Sequence, residues 1–132
     1  MRPRLFLGER AGATLVAAAL IPVMLLTGVV LHDVAALYSA RGEAQTAADA
    51  AAKAAGLELT PYFGVGCDPR GAAGEYAALN GARLLEYSTS GDGRFLWVTV
   101  RVSRQVDLLV LKREGASVTA TARCYLDLAP RP

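Results

Sequence analysis

From Ala11 to Leu31 the chain runs for 21 residues without a charged side chain, AGATLVAAALIPVMLLTGVVL. An α-helix needs about 20 apolar residues to cross a hydrocarbon core about 30 Å thick, so this stretch has the length of a transmembrane helix. Arg2, Arg4 and Arg10 precede it, His32 and Asp33 follow it, and the next cation is Arg41. The positive-inside rule then puts the N-terminus in the cytoplasm and everything beyond Leu31 outside the cell membrane, as a single-pass protein. A cleavable signal peptide competes with this reading, but its apolar region would exceed the usual length of about 7 to 15 residues. Its best small-residue site, ending at Ala40, would also place bulky Tyr38 at the minus-three position. A buried helix of a soluble core is the third reading; the retained anchor is preferred to both. Pro22 removes a backbone donor within the span and predicts a kink there. Ala13 and Ala17, four apart on one face, would let a second helix approach closely in the bilayer.

Composition agrees with one span and one small domain. Of the 132 residues, 53% are hydrophobic, against roughly 45–50% in an ordinary soluble domain. The 25 alanines, and 12 arginines against two lysines, look like the signature of a high-GC genome. Residues 32–132 carry 11 basic and 11 acidic side chains. A neutral body of this kind excludes a nucleic-acid binder, which would show a basic patch in its folded part. It also argues against a soluble cytoplasmic enzyme.

Past His32 the helical pattern continues through VAALYSARGEAQTAADAAAKAA, dominated by alanine and free of proline. The expectation is one helix from about Ala13 to Ala55, with Gly56 as its C-terminal stop. Its outer half is a smooth rod of small residues, suited to packing against neighbours or against its own domain. LELTPYFGVGCDP reads as an irregular crossing loop. A short helix over Arg70–Asn80 follows, with Tyr76 and Leu79 on one face and Asn80-Gly81 as its stop. ARLLEYSTS, the turn Gly91-Asp92-Gly93 and RFLWVTVRVS form a β-hairpin, with Leu96, Val98, Val100 and Val102 on one face. QVDLLVLKREG is either a strand continuation or a short helical crossing. ASVTATARCYL is a third strand, with Val118, Ala120, Ala122 and Cys124 on one face, and LAPRP a frayed tail. The fold class is therefore α+β: a long N-terminal transmembrane helix, a short second helix and a small three-stranded antiparallel sheet whose apolar face a helix must cover. The divisions are a cytoplasmic basic tip (1–10), the transmembrane helix (11–31), its extracytoplasmic continuation (32–56) and a small extracytoplasmic αβ domain (57–132).

A domain of that size is marginal on its hydrophobic core alone. Cys67 and Cys124 can staple it, since both fall on the oxidising side of the membrane. Closing that loop is worth about 4 kcal/mol in the chain-entropy model. Two separate buried thiols are the alternative, and a metal site lacks further ligands nearby. No nucleophile, phosphate-loop or zinc-protease motif occurs, and His32 is the sole histidine. We therefore expect no catalytic, cofactor-binding or metal-binding residue and no enzyme. Arg101 and Arg104 read as a solvated strand face rather than an anion site. Phe95 and Trp97 alternate with the core valines, so they lie on the opposite face of the hairpin, where they serve either the chain's own packing or a partner.

Three segments resemble one family. ERAGATLVAAALIPVMLL is similar to the start of the TadE/TadF/TadG-like proteins of tight-adherence, Flp-type pilus systems. QTAADAAAKAAG (Gln45 to Gly56) resembles their Ala-Ala-Asp-Ala-Ala pattern beyond the membrane. EYAALNGARLLEY (Glu75 to Tyr87) resembles a tyrosine and Asn-Gly segment found notably in short actinobacterial TadE-like proteins. The resemblance implies a non-enzymatic, minor-pilin-like or pseudopilin-like subunit that helps assemble a pilus or a related secretion apparatus through its N-terminal helix. Its partners would be the membrane, other TadE/TadG-like or pilin-like subunits and the Tad assembly platform, as a homo- or hetero-oligomer. The helix surface implied for assembly comprises Ala13, Ala17, Pro22, Gln45, Ala48, Asp49 and Ala52. A processing site would fall at Gly12 and Ala13. Pilins cleaved by a prepilin peptidase usually carry a glutamate five residues after the cleavage glycine, and from Gly12 that position is Ala17. A permanently anchored accessory or initiating subunit fits this better than a major pilin. A membrane-tethered binding module that forms no filament is the alternative.

Overall fold

The computed structural model describes residues 6–60, 68–92, 94–110 and 115–128, with side chains from Gly12 onward. Helix α1 spans Phe6–Glu58, 53 residues without interruption, or about 80 Å at ~1.5 Å per residue. It runs on through Pro22 and past Gly56. The expected stop at Gly56 is thus corrected: the last turn closes with Leu59 and Thr60 N–H groups donating to the Gly56 and Leu57 carbonyls. Gly56 is there for a different reason, a close approach to the sheet.

Helix α2 covers Pro69–Leu79. Asp68 caps it by accepting the Gly71 N–H at 2.8 Å, and Pro69 occupies the first turn, where its missing N–H is not needed. The helix stops at Asn80, and Gly81 turns the chain with φ +69°. Tyr76 and Leu79 are exposed, while Ala73 and Ala77 are fully buried. Only methyl groups fit where α2 packs onto α1.

Strands β1 (Arg83–Gly91), β2 (Phe95–Gln105) and β3 (Ser117–Asp127) form an antiparallel sheet in the order β1-β2-β3. Tyr87 pairs with Val100 and Val98 with Cys124, and one irregularity falls between Leu84 and Glu86. The α+β architecture agrees with the expectation from sequence. Between β1 and β2, the Asp92 carboxylate accepts the Phe95 and Arg94 N–H groups at 3.0 and 3.3 Å. These two bonds hold its pKa below the usual carboxylate value.

The core lies between the outer half of α1 and the inner face of the sheet. The helix contributes Ala47, Ala48, Ala51, Ala52 and Ala55, and the sheet contributes Val98, Val100, Val102 and Ala122. A smaller cluster nearer the apolar span joins Ala40 and Ala44 to Val118. Alanine on the helix lets the two layers approach closely, and β-branched valine on the strand fills the remaining depth. The rod of small residues therefore packs against its own domain.

Candidate functional site

Helix α1 divides at Asp33. Below it, Leu15, Leu20, Met24, Leu26 and Leu31 are all more than half exposed, and none of the described residues covers the most apolar window of the helix. Above it the helix is built into the domain. Asp33 itself is fully buried. Its two carboxylate oxygens accept the backbone N–H groups of Leu109 and Val110 at 2.8 and 2.9 Å, and the His32 Nδ1 lies 3.6 Å away. The His32 side chain stays 59% exposed at this edge.

These bonds settle the ambiguous segment after β2. Beyond Gln105, which ends β2, it is neither strand nor helical crossing where described. Val106 N–H still donates to the Ala116 carbonyl at 2.9 Å, after which the backbone leaves the ladder and is satisfied by Asp33 instead. Residues 111–114 lie outside the described residues.

A second polar centre is Arg104. In register it pairs with Val118, so it continues the inward parity of Val98, Val100 and Val102. The expectation that Arg104 shares a solvated face with Arg101 is corrected. Its guanidinium pairs with the Glu43 carboxylate on α1 and donates to the Asn80 and Gly81 carbonyls at 2.9 and 3.2 Å. One side chain thereby joins β2, α1 and the end of α2. Gly81 is glycine for its φ, and a Cβ there would push the Arg104 Nη1 aside. Arg101 does face outward, 4.0 Å from Glu86.

The outer face of the sheet carries Phe95, Trp97 and Tyr125. The Phe95 and Tyr125 rings stack with centroids 5.7 Å apart, and Trp97 meets Tyr125 at 4.8 Å. The Arg94 guanidinium lies 5.0 Å from the Phe95 ring centre. Trp97 and Tyr125 are nearly half exposed, so this cluster packs on itself rather than into a core. Tyr125 belongs with Phe95 and Trp97; the cross-strand pairing that joins them is invisible until register is known.

The residues expected on the helix assembly surface are split. Ala13, Ala17 and Pro22 lie exposed on the bare half. Gln45 and Asp49 are also exposed, bonded to each other at 3.1 Å. Ala48 and Ala52 are not available: they are buried beneath the chain's own sheet. Gly12 and Ala13 sit within α1. Cys67 lies outside the described residues, while Cys124 is partly buried, with its Sγ against Gly56. Among the described residues, no three His, Cys, Asp or Glu side chains converge as metal ligands.

A bare apolar helix, long and apolar enough to cross a membrane, continued into a small, tightly packed αβ domain is the build of a protein whose folded part stands on its own anchor. Residues 11–58 match the family model of Flp pilus-assembly TadE/G-like proteins. Through this helix, from the start of the apolar stretch to the last turn, the chain is similar to the TadE/G-like family. No curated protein and no solved structure matches it.

Proposed function

We propose that the protein is a non-enzymatic, minor-pilin-like or pseudopilin-like subunit of a Tad pilus or a related secretion apparatus. Its bare half-helix spans the membrane with the N-terminus cytoplasmic, and it assembles there with other TadE/G-like subunits and the assembly platform. The observation that carries this reading is the division of α1. The family match runs across both halves, yet the chain covers only the outer one and leaves Ala13, Ala17 and Pro22 free for another helix. The exposed Phe95, Trp97 and Tyr125 cluster is the partner face on the outside, and Cys67 and Cys124 staple the domain.

The test is a photo-crosslinking residue placed at Ala17 in the native host. Adducts with TadE/G-like subunits support the reading. Recovery of the monomer alone, together with saturable binding of a small ligand, favours the tethered binding module. Intact mass from membranes decides processing: a full-length chain is the expected result for an anchored accessory subunit, and loss of residues up to Gly12 would make it a true pilin.

A further inference from the structure

We propose that the loop after β2 is a second membrane contact, with Leu109 and Val110 inserted into the bilayer beside the point where α1 emerges. The proposal rests on the membrane reading of α1. Leu31 ends the uncharged stretch, and Asp33 stands two residues later on the same helix. Because the Asp33 carboxylate holds the Leu109 and Val110 N–H groups, these two residues are fixed at the level of the hydrocarbon boundary and cannot stand away from it. Leu109 and Val110 are 59% and 49% exposed. On the Asp33 side of the helix, about one turn nearer the apolar span, Val30 is exposed as well, so loop and anchor present apolar side chains at the same edge.

Backbone chemistry supports the same occupant. Irregular backbone is tolerated near hydrocarbon only where its polar groups are satisfied by the protein. The two N–H groups next to the exposed side chains are satisfied in this way, by a carboxylate that is itself sealed from water. A loop built for water would need no buried acid to serve it. The continuity with the apolar helix selects lipid over a protein partner.

The chain has one tryptophan, which permits a direct depth measurement. In a Trp97→Phe background, Leu109→Trp, Leu20→Trp and Thr119→Trp are each placed in the full-length protein and reconstituted in phosphatidylcholine and phosphatidylglycerol vesicles containing brominated lipid. The expected result is a blue-shifted emission quenched severalfold more for Leu109→Trp than for Thr119→Trp. A Leu20→Trp signal quenched by lipid, with Leu109→Trp as wet as Thr119→Trp, overturns the loop contact and leaves the anchor intact. An unquenched Leu20→Trp signal overturns the membrane reading and the loop contact with it.

Discussion

Gly56 lies so close to Cys124 that a Cβ on the glycine would come within 3.0 Å of the Sγ, and within 3.4 Å of Leu126 Cδ2. Helix α1 and strand β3 meet there with no room for a side chain. Gly56→Leu is expected to lower stability by about 1–3 kcal/mol through overpacking, read as a shift of the denaturant midpoint. Gly56→Ala is milder, and its cost should be smaller in a Cys124→Ala background than in the wild type. A double-mutant cycle that proves additive would show that the two residues do not share this contact.

Arg104 holds three elements with one guanidinium. Arg104→Met removes the bonds to Asn80 and Gly81 and is expected to lower stability by about 1–3 kcal/mol, since two backbone acceptors lose their donor. Glu43→Gln should lower it by less than ~1 kcal/mol, because the Glu43 side chain is 49% exposed and water screens the pair. Arg104→Lys should fail to restore the wild-type melting temperature. A lysine ammonium lacks the fork that reaches a carboxylate and two carbonyls together.

Asp33 is the residue whose loss should be felt far along the chain. Asp33→Ala leaves the Leu109 and Val110 N–H groups without their acceptor, and their amide exchange with deuterium should accelerate while protection in β1 and β2 holds. Unchanged exchange at both amides would mean that the carboxylate does not pin the loop.

Burial, with the negative charge of Asp68 second, raises the Tyr87 pKa above its ordinary 10.0. In the unfolded chain the hydroxyl ionises near that ordinary value, so its contribution to stability is complete below it. As pH rises through the folded value the contribution is lost. Denaturant midpoints followed above pH 10.0 should fall for the wild type and fall less steeply for Tyr87→Phe.

Trp97→Ala separates the two roles open to the outer face. Losing the ring pair with Tyr125 should lower stability by only about 0.5–1.5 kcal/mol. If the face meets a partner, co-purification with TadE/G-like subunits should drop well beyond what that small loss explains.

Periodicity made the architecture legible before any coordinates. The alternation of Leu96, Val98, Val100 and Val102 with Phe95, Trp97 and Thr99 assigned both sheet faces, and 21 uncharged residues marked the span. The helix face was harder, because in a run dominated by alanine no hydropathy contrast distinguishes Ala48 and Ala52 from Ala13 and Ala17. Arg104 was readable in part: two residues beyond Val102, it had to point inward. Asp33 gave no such signal. Its partners lie 76 and 77 residues away, and nothing in local spacing connects a carboxylate on a helix with the amides of a distant loop.

The unbroken course of α1 from Phe6 to Glu58 makes the anchor a crankshaft. Each residue along an α-helix advances by about 100° around the axis, and the sheet is locked to the same rod through Ala48, Ala52 and Gly56. Whatever fixes the azimuth of Ala17 on the bare half therefore also fixes the compass direction in which Trp97 and Tyr125 look. Inserting one residue in the bare half would swing the aromatic face by more than a right angle without altering a single contact within the domain.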